Sequence, residues 1–406
     1  MKTKIWVWNL IAVLGVGAAL WARTAEPAAR LAPYRFTIPS RSEEEAALVF
    51  LRDRVAKTSE GLDLAALASA LLGQAKRSGQ SRWIVEAEGA ARRSLEILPV
   101  CNPGATLALA QAAQMKHAFA DSIVLCDSVL RERPRDARAL SLRATAQLGL
   151  GRLDAAVASA DALVDRLPTS PHLALRAVVL WARGEEAEAI HDFRKACAVE
   201  EAGDADGSAW LRSMWARLEL LRGRGGNAED LLLEALRIRP GLPLALGLYG
   251  DVAADHGDTE SADRRYAEAY QASGDPVYLM KRARMRPAAA GELRSAAEKA
   301  LREAPGHRIQ LAQVLLDRGG AAAAAEALEI AESEALRRRN AETLDTLARA
   351  RSEAGRLRDA RSAIREAIRS GVRDAALQLR AADIESRLGH ASLAAMHRER
   401  ALEIHP

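Results

Sequence analysis

Aromatic residues and cysteine are scarce in this chain, and each scarcity removes a class of protein. Four Phe and five Tyr stand among 406 residues, few for a strand-rich core, which draws on aromatic and β-branched side chains. No stretch of the body alternates apolar and polar residues between turn signals, as half-buried strands do. Cysteine occurs three times, at Cys101, Cys126 and Cys197, with no CxxC pair. That odd count argues against a disulfide scaffold or a thiolate zinc module, so inert or buried thiols are expected. The net charge is only +4 on 28% charged residues, and no global basic character calls for nucleic acid. None of the eight histidines has a metal-ligand spacing. His390 and His397 share a helical face, but no carboxylate or thiol completes a zinc set.

Glycine, by contrast, recurs at one phase. Units begin near Pro103, Ala137, Ser170, Ala209, Pro243, Gly274, Pro305, Ala341 and Ala375. Their fifteenth position holds Gly151, Gly184, Gly223, Gly257, Gly319, Gly355 and Gly389, with His117 and Ala288 as exceptions. Glycine is 27 of 406 residues, so nine random positions should hold fewer than one. A period near 34 residues means stacked units, each too small to bury its own apolar face. Alanine dominates the eighth position (Ala110, Ala144, Ala177, Ala216), where small side chains let antiparallel helices approach closely. Leu140, Trp215, Leu311, Phe193 and Tyr266 fill the space between. Each unit reads as helix, glycine turn, helix, then often proline, as at Pro134, Pro168 and Pro240.

The pattern Leu140…Ala144…Gly151…Ala156…Pro168 and its repeats resemble the tetratricopeptide repeat over roughly residues 62–406. The resemblance implies an all-α fold, a right-handed α-solenoid of about ten helical hairpins with a concave groove. It also implies a general role in holding peptides or proteins. Two units depart from the pattern. Met285-Arg286-Pro287 and Lys281 predict a shortened or kinked helix in the unit from Gly274 to Ala304. The first unit fits only with a longer turn around Gly79-Gln80-Ser81-Arg82.

Residues 1–22 are of another kind. Lys2 and Lys4 precede an apolar run, Ile5 to Ala22, interrupted only by Asn9. Its length lies between a signal-peptide core and a spanning helix, so both an uncleaved membrane anchor and a cleaved signal stay open. Either places the solenoid in a bacterial cell envelope: on the periplasmic face of the inner membrane if anchored, in the periplasm or secreted if cleaved. Residues 23–41, with Pro27, Pro33 and Pro39, read as an extended tether, and 42–61 as a capping helix opened by Ser42-Glu43-Glu44-Glu45.

No catalytic, cofactor or metal site is expected. Gly149–Gly151 and Gly223–Gly226 fall at the repeat's turn phase and lack the Lys-Ser/Thr of a phosphate loop. Acid pairs Glu185-Glu186 and Glu200-Glu201, turn residues His117, His256 and His390, and the cluster Arg337-Arg338-Arg339 all read as solvated surface. The groove must then carry the function. The resemblance implies that positions two, five, nine and twelve of each first helix face inward. Thr145, Trp181, Trp210, Arg217, Asp251, Gln313, Arg349 and Asp383 are therefore the candidate partner-binding residues. The wall lacks the Lys and Asn pairs with which chaperone-binding members clamp a carboxylate. The expected function is a non-catalytic scaffold or adaptor for a protein or peptide. Alternatives are an envelope assembly, export or regulatory factor that modulates a partner enzyme, and a peptide-sensing regulator. The last helix, with Leu393, Met396 and Leu402, leaves apolar surface for self-association.

Overall fold

The computed structural model describes residues 34–38, 41–58, 60–303 and 306–405. Residues 1–33, including the apolar segment and most of the proline-rich stretch, lie outside them. Among the described residues there is no strand.

Helix α1 (Arg41–Thr58) precedes ten hairpins. Hairpins 1 to 5 are α2 (Gly61–Ser78) with α3 (Arg82–Ile97), α4 (Pro103–Met115) with α5 (Phe119–Glu132), α6 (Ala137–Gly149) with α7 (Leu153–Arg166), α8 (Ser170–Ala182) with α9 (Glu186–Ala198), and α10 (Ala205–Leu221) with α11 (Gly225–Ile238). Hairpins 6 to 10 are α12 (Pro243–Asp255) with α13 (Thr259–Ser273), α14 (Val277–Met285) with α15 (Ala290–Glu303), α16 (Arg308–Arg318) with α17 (Ala321–Arg337), α18 (Ala341–Glu353) with α19 (Leu357–Arg369), and α20 (Ala375–Arg387) with α21 (Ala391–Ile404).

The repeat's small residues are where the helices meet. Ala110, Ala144, Ala177, Ala216, Ala312 and Ala348 have no exposed surface. Phe193 and Trp215 stack between hairpins 4 and 5 with ring centres 6.0 Å apart. Leu48, Leu51 and Val55 of α1 cover the apolar face of hairpin 1, which has no preceding hairpin to do so. All seven glycines of the fifteenth phase take a positive φ, from 67° to 88°. His117, at the same phase without being glycine, takes it too, at 56–59° along with Cys101. The backbone shape belongs to the turn, and glycine is the residue that adopts it with least strain.

Hairpin 7 is the short one. Helix α14 stops after nine residues at Met285, and Pro287 opens a 3-10 turn, because proline has no amide hydrogen and fixes its own φ. In hairpin 1 the turn is not lengthened as the sequence suggested: the helices end at Ser78 and resume at Arg82 around a left-handed Gly79, as closely as in hairpins 2 to 4, and the added length lies in α2, which runs 18 residues.

The first helices of successive hairpins touch one another along most of the stack, whereas contacts between successive second helices are sparse. The first helices therefore line the tighter, concave side. Curvature is strong enough for distant turns to meet. The turn of hairpin 1 at Gly79 abuts Ser273, that of hairpin 2 at His117 abuts His307, that of hairpin 3 at Gly151 abuts Arg339, and that of hairpin 4 at Gly184 abuts Gly371. Each time the inter-helix turn of one hairpin meets the last helical residue before, or the linker into, the first helix six hairpins later.

This seam corrects two surface assignments, and a neighbouring-hairpin contact corrects a third. Arg338 is 4% exposed, and its Nη1 donates to His117 Nδ1 at 3.1 Å. His117 is half-buried and stacks on Phe119. Glu200, read as a solvated end, is instead 6% exposed and pairs with Arg212, which is fully buried. In each case at least one member of the pair lies in a loop or turn that helical periodicity does not describe.

The three cysteines are free. Burial pushes the thiols of Cys126 and Cys197 up to about 11, which keeps them protonated and unreactive.

Candidate functional site

The inner wall is built from first helices whose charged residues mostly pair with the next first helix. Lys281 Nζ reaches both carboxylate oxygens of Asp251 at 2.7 Å, and Tyr266 donates its hydroxyl to Asp251 Oδ1 at 2.8 Å. Arg349 Nη1 donates to Asp317 Oδ1 at 2.7 Å, and Arg284 reaches the other oxygen at 3.2 Å. Burial pushes the Asp317 carboxyl up, but Arg349 and Arg284 outweigh it and hold it below the usual range. Arg380 pairs with Asp345; there burial prevails and the carboxyl is raised despite the arginine. Gln313 donates to Thr346 Oγ1 at 3.1 Å.

The candidate residues thus differ in how they are engaged. Asp251, Gln313 and Arg349 are engaged in holding neighbouring hairpins in register. Thr145 is half-buried, and its hydroxyl is turned back onto the Ser141 carbonyl at 3.0 Å, the usual local bond of a helical threonine. Asp383 is exposed with no ion pair to a described residue. The remaining three belong to hairpins 4 and 5. The Arg217 guanidinium lies 5.7 Å from the centre of the Trp181 ring. Trp181 is 6% exposed, and its indole N–H has no partner among the described residues. Trp210 is 36% exposed on the same helix as Arg217. A cation resting on an aromatic face is held by the ring's charge distribution and not through its N–H donors, so Arg217 keeps its hydrogen-bonding capacity for a ligand.

Lys76, Arg138 and Asp317 were not singled out by the sequence. Burial lowers the Lys76 pKa, and the nearby Arg138 lowers it further; two cations are thus held close together on hairpins 1 and 3. Lys281 had a signal, a long cation at a position otherwise small. Its room comes from hairpin 6, where a Cβ on Gly250 would stand 2.5 Å from the Tyr266 ring. Tyr266 fills the place that a side chain would occupy and presents its hydroxyl to the same carboxylate.

A second feature lies outside the inner wall. Tyr34 is 5% exposed, and its amide donates to Glu234 Oε1 at 2.7 Å while Arg237 donates to its carbonyl at 3.2 Å. Residues 34–38 are thereby strapped to helix α11.

No family model and no curated protein matches the sequence. Among solved structures, a monomeric mutant of IFIT1 with Gppp-AAAA has a TM-score of 0.50 at 14% identity, covering 89% of this chain and 95% of that one. The chain has the fold of a TPR-like solenoid. The human IFIT1 dimer with PPP-AAAA has a TM-score of 0.47 at 14% identity over 91% of this chain and 95% of that one. The APC/C hetero-tetramer Cut9–Hcn1 has 0.46 at 15% identity over 91% and 57%. At such identities the likeness is one of fold. Among the described residues, no three His, Cys, Asp or Glu side chains are placed to hold a metal ion, and no helix is long and apolar enough to cross a membrane.

Proposed function

We propose that this solenoid is a non-catalytic scaffold that holds an extended segment of a partner protein against its inner wall at hairpins 4 and 5. The observation that carries this reading is the contrast within the wall. Most inner charges are spent on neighbouring hairpins, whereas the exposed Arg217 guanidinium rests on the Trp181 ring and makes no ion pair with a described residue, on the helix that also carries the exposed Trp210. A segment with a carboxylate next to an aromatic or aliphatic side chain matches these groups. A preformed wall loses little entropy on binding, so the ordering cost falls on the partner.

The apolar run at residues 5–22 supports an envelope location, with the solenoid on the far side of the membrane from Lys2 and Lys4. A reporter active only after export, fused behind residue 45, tests the location. Crosslinking in cells through photoreactive residues placed at Trp210 and Arg217, followed by mass spectrometry, tests the site. A single dominant adduct that disappears in Arg217→Glu, with the melting curve unchanged, is the expected result. An adduct indifferent to Arg217→Glu and to Trp210→Ala would refute the placement.

A further inference from the structure

On the convex side, helix α19 carries Arg358, Arg361, Arg365 and Arg369. Their spacing puts all four on one face of the helix. They line a cavity of about 910 Å³ with Arg400 and His397 of α21. Among the described residues, the carboxylate paired with these groups is Glu385, 2% exposed at the side chain. Arg361 Nε donates to its Oε1 at 2.7 Å, Arg365 approaches the same oxygen at 3.4 Å, and His390 Nδ1 meets Oε2 at 2.7 Å. Burial pushes that carboxyl up, but His390 and Arg361 outweigh it and keep it ionised. Its oxygens are therefore taken. Arg358, Arg369 and Arg400 are exposed and make no ion pair with a described residue.

The other acids of α19 have their ion pairs elsewhere: Asp359 pairs with Arg356, and Glu366 pairs with Arg339 while feeling Arg369 more weakly. Five guanidinium groups thus converge on one concavity against one occupied carboxylate, an excess of positive charge concentrated in a chain whose whole net charge is +4. Every cation is arginine, whose planar fork binds phosphate oxygens in pairs, where lysine offers a single point of charge. Arg361 and Arg365 are neighbours about 5–6 Å apart, and Arg358 and Arg369 flank them, roughly 16 Å apart along the helix, so a ligand that meets both ends must present more than one anionic group. Ile368, Leu388 and Met396 line the same cavity, and its volume falls in the range of small-molecule sites, about 300–1,000 Å³.

We infer that this cavity binds a small organic anion carrying two or more phosphate groups, with Arg358, Arg369 and Arg400 as its principal contacts and the apolar residues beneath its non-phosphate portion. This site is separate from the groove of hairpins 4 and 5 and stands without it. The same phosphate chemistry is offered by a soluble metabolite and by a phospholipid headgroup.

Calorimetric titration of the detergent-solubilised full chain with inorganic tripolyphosphate at physiological salt tests the assignment. One equivalent should bind. Arg358→Gln/Arg369→Gln/Arg400→Gln should weaken it by at least about tenfold, with an unchanged melting curve. Arg133→Gln/Arg135→Gln/Arg166→Gln, which neutralises the arginines of a second, shallower concavity, should leave affinity as it was. Phosphatidylcholine vesicles with and without cardiolipin, whose headgroup carries two phosphates, separate the sources. Cardiolipin-dependent binding that tripolyphosphate displaces and the first triple variant loses identifies a headgroup; tripolyphosphate binding without it identifies a soluble phosphate. Failure of the wild-type chain to bind tripolyphosphate, or equal weakening in both triple variants, would overturn the inference.

Discussion

The side-chain amide of Asn340 donates to the carbonyl of Gly149 at 2.8 Å, although 191 residues separate them in sequence. One residue along, the Arg339 amide donates to the Leu150 carbonyl at 3.0 Å. Backbone bonds between turns six hairpins apart make the solenoid more than a chain of nearest neighbours. Approach this close requires turns without side chains, and a Cβ on Gly151 would stand 2.5 Å from the Arg339 carbonyl oxygen.

Two glycines of the same phase should therefore respond differently to alanine. At Gly257 nothing lies within 4 Å of an added Cβ, so Gly257→Ala should cost only the left-handed backbone penalty, about 1–2 kcal/mol. At Gly184 the Cβ would fall 2.2 Å from the Gly371 carbonyl oxygen, and Gly184→Ala should either cost at least about 3 kcal/mol or break the seam. Urea unfolding gives the difference, and small-angle scattering detects an opened superhelix as a larger radius of gyration. Equal costs with unchanged scattering would mean that the turns do not touch in solution.

Burial, with Arg338 and His307 close by, pushes the His117 pKa from 6.5 to about 4. The depressed value means that the unfolded chain binds this proton more readily than the folded one. His117 therefore contributes stability that is complete above pH 6.5 and lost as pH falls toward 4, at most about 3 kcal/mol. Asparagine tolerates the same positive φ without titrating. Urea midpoints measured from pH 7 to pH 4 should fall less steeply in His117→Asn than in the wild type. Parallel curves would place this histidine in solvent.

Arg212 grips Glu200 through both nitrogens, at 2.5 and 3.0 Å, while fully buried itself. Removing one partner strands a charge without water. Glu200→Ala should destabilise by about 3–5 kcal/mol, whereas Arg212→Met with Glu200→Leu should recover most of that loss. Additive effects in this double-mutant cycle would indicate an exposed pair of little consequence.

Tyr34 ties residues 34–38 to α11 through Glu234 and Arg237. Tyr34→Ala should free this strap, so that trypsin cuts after Arg35 much sooner while global unfolding shifts by less than about 1 kcal/mol. Cleavage at the wild-type rate would show that the strap is already loose.

Much of the inner wall could be read by comparing positions one repeat apart. Asp251 with Lys281, Asp317 with Arg349, and Asp345 with Arg380 set opposite charges on adjacent first helices. Read singly, Asp251 and Arg349 look available to a ligand; read against the next unit, they have a partner. The short helix α14 was likewise legible, because Pro287 acts on its immediate neighbours. The burial of His117, Glu200 and Arg338 was not, since it arises from loops and from turns meeting six hairpins away, and no local pattern encodes that distance.

By itself the sequence determined the hairpins, their period and their turns, because glycine, alanine and proline act through backbone sterics within a few residues. Tertiary structure alone decided how tightly the stack coils, and hence which side chains are trapped between its turns. Coiling is the sum of small rotations at every hairpin interface, and only after six of them does one residue learn which other it will touch.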